Sequence, residues 1–375
     1  MVPTFAEATA VRATGSHTYT ANFPSDWCIG SVTHGGVVAA TFLRVAATHF
    51  GTTLAKQKQP HTITLHAEFL RRTSAGLATF VVKDMKLGRQ TSTIHITLTQ
   101  DGREEVVAYM TNANIDAEAG FTLQTGWSAN PPLPAPPKDF NKLAADGQDA
   151  DWVALKDLPY PKLRKAVNRV RMHIPRNGQK QPNVIDEWVR LESGERFPME
   201  GLGFVSDMWP QMIEGLVMKQ QEMDGEAQNA KKSAGDLPWL WYPTLVLNLD
   251  IKKALPPEGV EWLHVRVQSK HIKNGRYDYE VLIFDETGDL VAISNHVAMV
   301  VDGSRNTAAR RVGRPFPSRV EMNPISDVNK PGALDIMPDK ATHEPAAGSR
   351  TEVLVKYRAR SGLAHEPDTY NGFLY

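Results

Sequence analysis

The chain has 375 residues, with 42 Lys+Arg against 42 Asp+Glu, 41% hydrophobic residues and one cysteine, Cys28. Zero net charge argues against a nucleic-acid partner, because displacing counterions from a polyanion takes a basic surplus. A lone cysteine excludes an internal disulfide framework and a Cys-cluster zinc site, and it suits a reducing compartment.

Met1 to Gly15 has no continuous apolar core of the secretory kind. The most apolar stretch, Leu237 to Ile251, is interrupted by Pro238, Pro243, Asn248 and Asp250. It is too short and polar to cross about 30 Å of hydrocarbon. The expectation is a cytoplasmic protein with no membrane partner.

Ser16 to Asp116 forms a first block. His17 to Phe23 alternates as a strand does, and a loop, Pro24 to Thr33, follows. Gly35-Gly36 opens an apolar run, Val37 to Phe50, whose length and Ala and Leu content predict a helix. Val37, Val38, Ala40, Phe42, Leu43 and Ala46 make it apolar nearly all round, hence buried. Strands are predicted over Thr62 to Phe69, Ala78 to Lys86, Gln90 to Gln100 and Glu105 to Ile115. In the third, Thr93, His95, Thr97 and Thr99 alternate with Ile94, Ile96 and Leu98, and Asp101-Gly102 is a hairpin turn. One buried helix followed by antiparallel strands describes a sheet wrapped around a helix.

Pro131, Pro132, Pro134, Pro136 and Pro137 then predict a stiff extended linker over 126–160. From about Lys165 the first pattern returns. Val167 to Ile174 and Val184 to Leu191 read as strands, Leu202 to Met218 as a helix, and 219–236 as a polar insertion. Thr244 to Ile251, Trp262 to Ile272, Arg276 to Asp285 and Leu290 to Val301 read as strands. Gly88 and Gly102 lie 14 residues apart, Gly275 and Gly288 lie 13 apart, and both intervals begin Gly-Arg and end before a Val-Ala pair. A whole domain is therefore repeated. The expected division is one unit over 1–125, the linker, a second unit over 161–303, and a proline-rich, partly ordered extension over 304–375 with a strand candidate at Thr351 to Tyr357.

Phe69-Leu70-Arg71-Arg72, Gly88-Arg89-Gln90-Thr91-Ser92 and Tyr109-Met110-Thr111 resemble the first half of the thioesterase II, or double hotdog, acyl-CoA thioesterases. Ser206-Asp207, Thr244 at a strand start and Gly288-Asp289-Leu290-Val291-Ala292 resemble the second half. The likeness runs from about Ser16 to Gly303 without the linker and insertion, and the order and repetition of the motifs carry it. It implies an α+β double hotdog fold: two units, each an antiparallel β-sheet wrapped around a central α-helix. It also implies an acyl-CoA or acyl-carrier substrate, hydrolysis by an activated water, and no cofactor. Since each unit finds its partner sheet within the chain, a monomer or homodimer is expected.

Thioester hydrolysis needs a water held near the acyl carbon and donors for the oxygen that gains charge. A buried helix N-terminus offers free N–H groups and a positive dipole end, which singles out His34, Gly35 and Gly36. Those glycines serve equally to pack helix against sheet. Asp207 is a carboxylate in an apolar helical stretch, costly unless paired or used. Ser206 or Asp207 capping a helix that begins one residue later fits the same residues. Thr244, with Thr62 as its first-unit counterpart, is either a plain β-former or, as the resemblance implies, a ligand of the attacking water.

The family pattern carries glutamine where this chain has His296, and histidine can both orient a water and take its proton. A shift of one residue would present Asn295 instead, and Asn112 is the first-unit counterpart. Asp207, Thr244 and His296 form the expected catalytic set. His34, Gly35, Gly36, Trp239 and Trp241 form the expected substrate-binding set, with the two tryptophans read either as core or as the wall of an acyl pocket. His61 and His66, like His264 and His271, sit at spacings that turn them to opposite strand faces, so no metal is expected. No Walker or Rossmann glycine loop occurs. Two other functions compete with hydrolysis. One is dehydration, isomerisation or cyclisation of a polyketide-like acyl chain, which the His296 departure favours. The other is non-catalytic acyl binding.

Overall fold

Alternation of apolar and polar residues gives each strand one inward face. Ile94, Ile96 and Leu98 are buried, whereas Thr93, His95 and Thr97 between them are partly exposed. The computed structural model describes residues 2–156, 160–208, 212–216 and 239–308. The expected insertion, Trp209 and the extension beyond residue 308 lie outside these.

The first half contains α1 (Phe5–Ala8), β1 (Val11–Gly15), β2 (Thr18–Phe23), a small hairpin of β3 (Cys28–Ile29) and β4 (Val32–Thr33), and helix α2 (Gly35–Gly51). Four long strands follow: β5 (His61–Phe69), β6 (Gly76–Lys86), β7 (Ser92–Gln100) and β8 (Arg103–Ala113). After α3 (Phe140–Asp146), the second half contains β9 (Trp152–Ala154), β10 (Val170–Pro175), β11 (Val184–Leu191) and α4 (Gly201–Val205). Then come β12 (Leu240–Trp241), β13 (Thr244–Ile251), β14 (Leu263–Gln268), β15 (Ile272–Lys273), β16 (Arg276–Phe284), β17 (Leu290–Met299) and β18 (Val301–Asp302).

One antiparallel sheet runs β1-β2-β6-β7-β8-β5-β13-β17-β16-β14-β11-β10-β9. Outward from the β5–β13 joint, the first half reads β8, β7, β6, β2, β1 and the second reads β17, β16, β14, β11, β10. The repeat seen in the sequence is thus a repeat of strand order, and the two units form a double hotdog. Asp101 and Gly102 both take positive φ at the β7–β8 hairpin, and Gly288 does so at the β16–β17 turn. Helix α2 is buried along Val37 to Leu43 and beyond, as its all-round apolar run requires. It packs on α4 through two glycines. A Cβ at Gly36 would stand 2.5 Å from the Phe204 carbonyl oxygen, and one at Gly203 2.9 Å from the Ala40 nitrogen. No helix among the described residues is long and apolar enough to cross a membrane.

Two expectations need correction. The stretch read as an extended linker carries a helix and an edge strand. Asp139 caps α3 by accepting from the Lys142 N–H, Gly147 ends it at positive φ, and β9 pairs with β10. Leu143 and Trp152 supply the reason, for both are buried against Trp188 and Trp262 of the second half. The helix read as continuous over 202–218 instead stops at Val205: Ser206 to Met208 lie outside it, and 212–216 are helical again. Pro210 accounts for this, since it has no N–H and its ring would clash with the carbonyl four residues back.

Candidate active site

Asp207 stands two residues past the end of α4, where a helix C-terminus would repel its charge. What offsets this is α2, whose N-terminal end faces it: a Cβ on Gly35 would lie 2.4 Å from Asp207 Oδ2. The other oxygen, Oδ1, accepts from the Thr244 hydroxyl at 2.8 Å and from the Tyr279 hydroxyl at 2.8 Å. The carboxylate side chain is 8% exposed. It opens on a cavity of about 840 Å³ lined by His34, Gly35, Trp241, Thr244 and Tyr279 among others, a size that suits a small organic ligand. Arg71, Arg72 and Arg305 also line it.

The strands explain how three chain-distant groups meet. Thr244 begins β13 beside a bulge, opposite Ala298 of β17. Tyr277 and Tyr279 share the inward face of β16 with Val281 and Ile283. Burial, reinforced by the charge of Asp207, raises both tyrosines well above the usual phenol pKa, so they remain donors at any working pH.

His296 faces inward and Asn295 outward, which fixes the register that the sequence left open. Yet His296 does not reach the cavity. Its ring stacks on Tyr279 at 4.0 Å between centroids and 14° between planes. Ser294 Oγ gives its proton to the Asn248 carbonyl, so it accepts from His296 Nε2 at 2.7 Å. That leaves Nδ1 without a hydrogen bond, 3.7 Å from Asp207 Oδ1. Burial drives the His296 pKa down to about 4, despite Asp207. The ring is therefore neutral near pH 7 and screened by Tyr279, which contrasts with the expectation of a group that orients the water or takes its proton directly. Asn112 is not its counterpart: Asn112 pairs with Thr62 across β5–β8, and the matching pair in the second half is Thr244 with Ala298.

His34 caps α2, and its Nδ1 accepts from the Gly36 N–H at 3.1 Å. Burial lowers its pKa, with Asp207 opposing, which keeps the ring neutral. The Gly36 amide is thus already engaged, and Gly36 serves packing, whereas Gly35 borders the cavity beside the carboxylate. Trp241 lines the cavity, but Trp239 does not; it packs on Gly303, where a Cβ would stand 2.2 Å from its ring. Tyr279 was not anticipated. Its signal was present in the alternation Tyr277-Asp278-Tyr279, which sends two hydroxyls to one strand face.

Comparison with known proteins bears on both halves. Residues 23–113 match the acyl-CoA thioesterase N-terminal domain and residues 132–300 the acyl-CoA thioesterase C-terminal domain. A thioesterase-like protein, TwmA, of Talaromyces wortmannii is 37% identical over 82% of this chain and 94% of its own. Two solved structures share the fold. A putative thioesterase II from Thermobifida fusca covers 80% of this chain and 99% of its own, with 22% identity and a TM-score of 0.59. A putative thioesterase from Novosphingobium aromaticivorans covers 77% and 98%, with 17% identity and a TM-score of 0.58. Matched in both halves and along most of its length, the chain belongs to the acyl-CoA thioesterase family.

Proposed function

We propose that the chain hydrolyses an acyl thioester carried on CoA or on a carrier protein, with Asp207 as the group that activates water. The observation that carries this reading is the Asp207 carboxylate itself. One oxygen is fixed by two neutral hydroxyls, and the other is left at the junction of the cavity and the α2 N-terminus. In the reaction a water attacks the acyl carbon as Asp207 takes its proton. The carbonyl oxygen gains negative charge, which the N-terminal end of α2 at Gly35 stabilises. The C–S bond then breaks, the leaving thiolate takes up the proton that Asp207 holds, and acid and thiol are released with the carboxylate restored.

Thr244 and Tyr279 orient the carboxylate, and the Thr244 oxygen can also accept from the water. His296 acts one layer back, as a positioning residue that holds the Tyr279 ring in place. Trp241 and Phe69 offer apolar wall for the acyl chain. General-base assistance of this kind is worth roughly 10²- to 10⁴-fold in rate. The test is a panel of acyl-CoAs of different chain length given to the purified protein, with release of free thiol as the readout. Turnover of some members supports hydrolysis, and binding without thiol release across the panel refutes it.

A further inference from the structure

The opposite end of α2 holds a second polar group. His49 lies in the last turn of α2, His17 in the β1–β2 turn and Asp84 on β6. Separations of 67 residues from His17 to Asp84 and 35 from His49 to Asp84 explain why no motif announces them. Both imidazoles turn the same nitrogen on the carboxylate. His17 Nε2 is 3.1 Å from Oδ2, and His49 Nε2 is 2.9 Å from Oδ1. Among the described residues this is the one group of His, Cys, Asp or Glu whose ligand atoms converge, all within 4.8 Å.

The far nitrogens are tied to oxygens. His49 Nδ1 is 2.9 Å from the Tyr19 hydroxyl, and His17 Nδ1 is 3.0 Å from Ser16 Oγ. Tyr19 Oη also lies 3.3 Å from the Ser16 carbonyl oxygen, to which it donates when His49 Nδ1 carries the proton. In that tautomer His49 aims its Nε2 lone pair at a carboxylate oxygen. Two acceptors at hydrogen-bond distance need a positive charge between them, and a metal ion supplies one while engaging His17 as well. An imidazole that ligates through one nitrogen characteristically gives its other N–H to an oxygen, and both far nitrogens have one within reach.

We propose that His17, His49 and Asp84 bind a divalent transition-metal ion of the Zn²⁺ type. Two imidazoles and a carboxylate are the ligand set such an ion prefers over Mg²⁺ or Ca²⁺. In a tetrahedral zinc site with bonds of about 2.0–2.2 Å, neighbouring donors lie about 3.3–3.5 Å apart. The two His–Asp contacts need open by only a few tenths of an ångström, the third donor pair lies within 4.8 Å, and His17, with its side chain 40% exposed on a turn, is free to close on it. That exposed side also provides the entry path and room for a water as fourth ligand. The negative end of α2 adds to the attraction. Fourteen residues of helix at about 1.5 Å each separate His49 from Gly35, so the site lies roughly 20 Å from Asp207. Its role is to clip α2 to the β1–β2 turn and β6, apart from the chemistry.

The test uses the full chain, stripped with chelator and titrated with Zn²⁺ against a chromophoric competitor, then with Co²⁺ followed by visible absorption. One saturable equivalent, the intense bands of tetrahedral Co²⁺ and a raised Tm with metal are expected. His17→Ala and Asp84→Asn should each weaken that equivalent at least about 100-fold. His17→Ala should keep the far-UV circular dichroism and metal-free Tm of the parent, and its thioester turnover. No saturable equivalent, which would leave a proton-bridged His–Asp–His group, overturns the proposal, and so does an equivalent that both variants retain.

Discussion

At the scale of single residues, the candidate site is a carboxylate held by neutral donors. Thr244 and Tyr279 fix its direction without cancelling its charge, as an arginine in their place would do. Tyr279→Phe keeps the ring that stacks on His296 and removes one of the two donors. Hydrolysis should fall about 10- to 100-fold in kcat, the worth of a hydrogen bond to a charged group, with KM little changed. An unchanged kcat would show that the hydroxyl has no part in turnover. The buried histidines set a pH dependence of stability. Burial lowers His296 and His173 to about 4 and His264 to about 3, while in the unfolded chain each returns to about 6.5. Between those values the unfolded state binds more protons, so their contribution is whole above about pH 6.5 and shrinks as pH falls towards 4. Denaturant midpoints measured from pH 7 to pH 4 should therefore decline, and His296→Gln should flatten the slope. An unchanged slope in that variant would remove His296 from the explanation.

Among the elements, the contact of α2 with α4 positions the site, because it sets the α2 N-terminus against Asp207. Gly36→Ala would drive a methyl into the backbone of Phe204, which cannot move aside as a side chain can. The expected loss is about 1–3 kcal/mol, read from the denaturant midpoint, in line with other overpacked cores. A midpoint equal to the parent's would mean that the helices separate freely. Much at this level was legible beforehand. The all-round apolar run of α2, the long strands and the turn glycines each follow from local pattern. Pro210 was an available signal for the break after α4, outweighed by the apolar residues on either side of it. The inward turn of His296 was not legible, because strand register depends on pairing with β13 and β16. Nor was its place behind Tyr279, since two aromatic groups on neighbouring strands meet only once that register is fixed. The polar pair Thr62–Asn112 shows the same limit: sequence spacing aligned Asn112 with His296, whereas the bulges in β5 and β13 align it with Ala298.

The whole molecule is two units joined along one line of backbone hydrogen bonds. β5 and β13 pair from Thr64–Asp250 to Glu68–Val246, and neither half ends in a free edge there. A single apolar core takes residues from both halves, including Phe42 and Phe80 from one and Phe204 and Val265 from the other. Such a joint core should unfold as one unit. Far-UV circular dichroism and tryptophan fluorescence should give coincident denaturant curves, and two separated transitions would mean that the halves are independent. The same joint explains the placement of the candidate site, because Gly35 comes from the first unit and Asp207, Thr244 and Tyr279 from the second. Neither half alone holds both the carboxylate and the helix end that faces it.

Hydrolysis by this chain rests on Asp207. The decisive measurement compares parent and Asp207→Asn on the best acyl-CoA of the panel, following free thiol together with the acyl product by mass. The parent should release free acid and thiol in equal amounts, and the variant should be at least about 100-fold slower at unchanged circular dichroism. Equal rates, or a parent product that keeps its thioester and has lost water or cyclised, would contradict hydrolysis through Asp207.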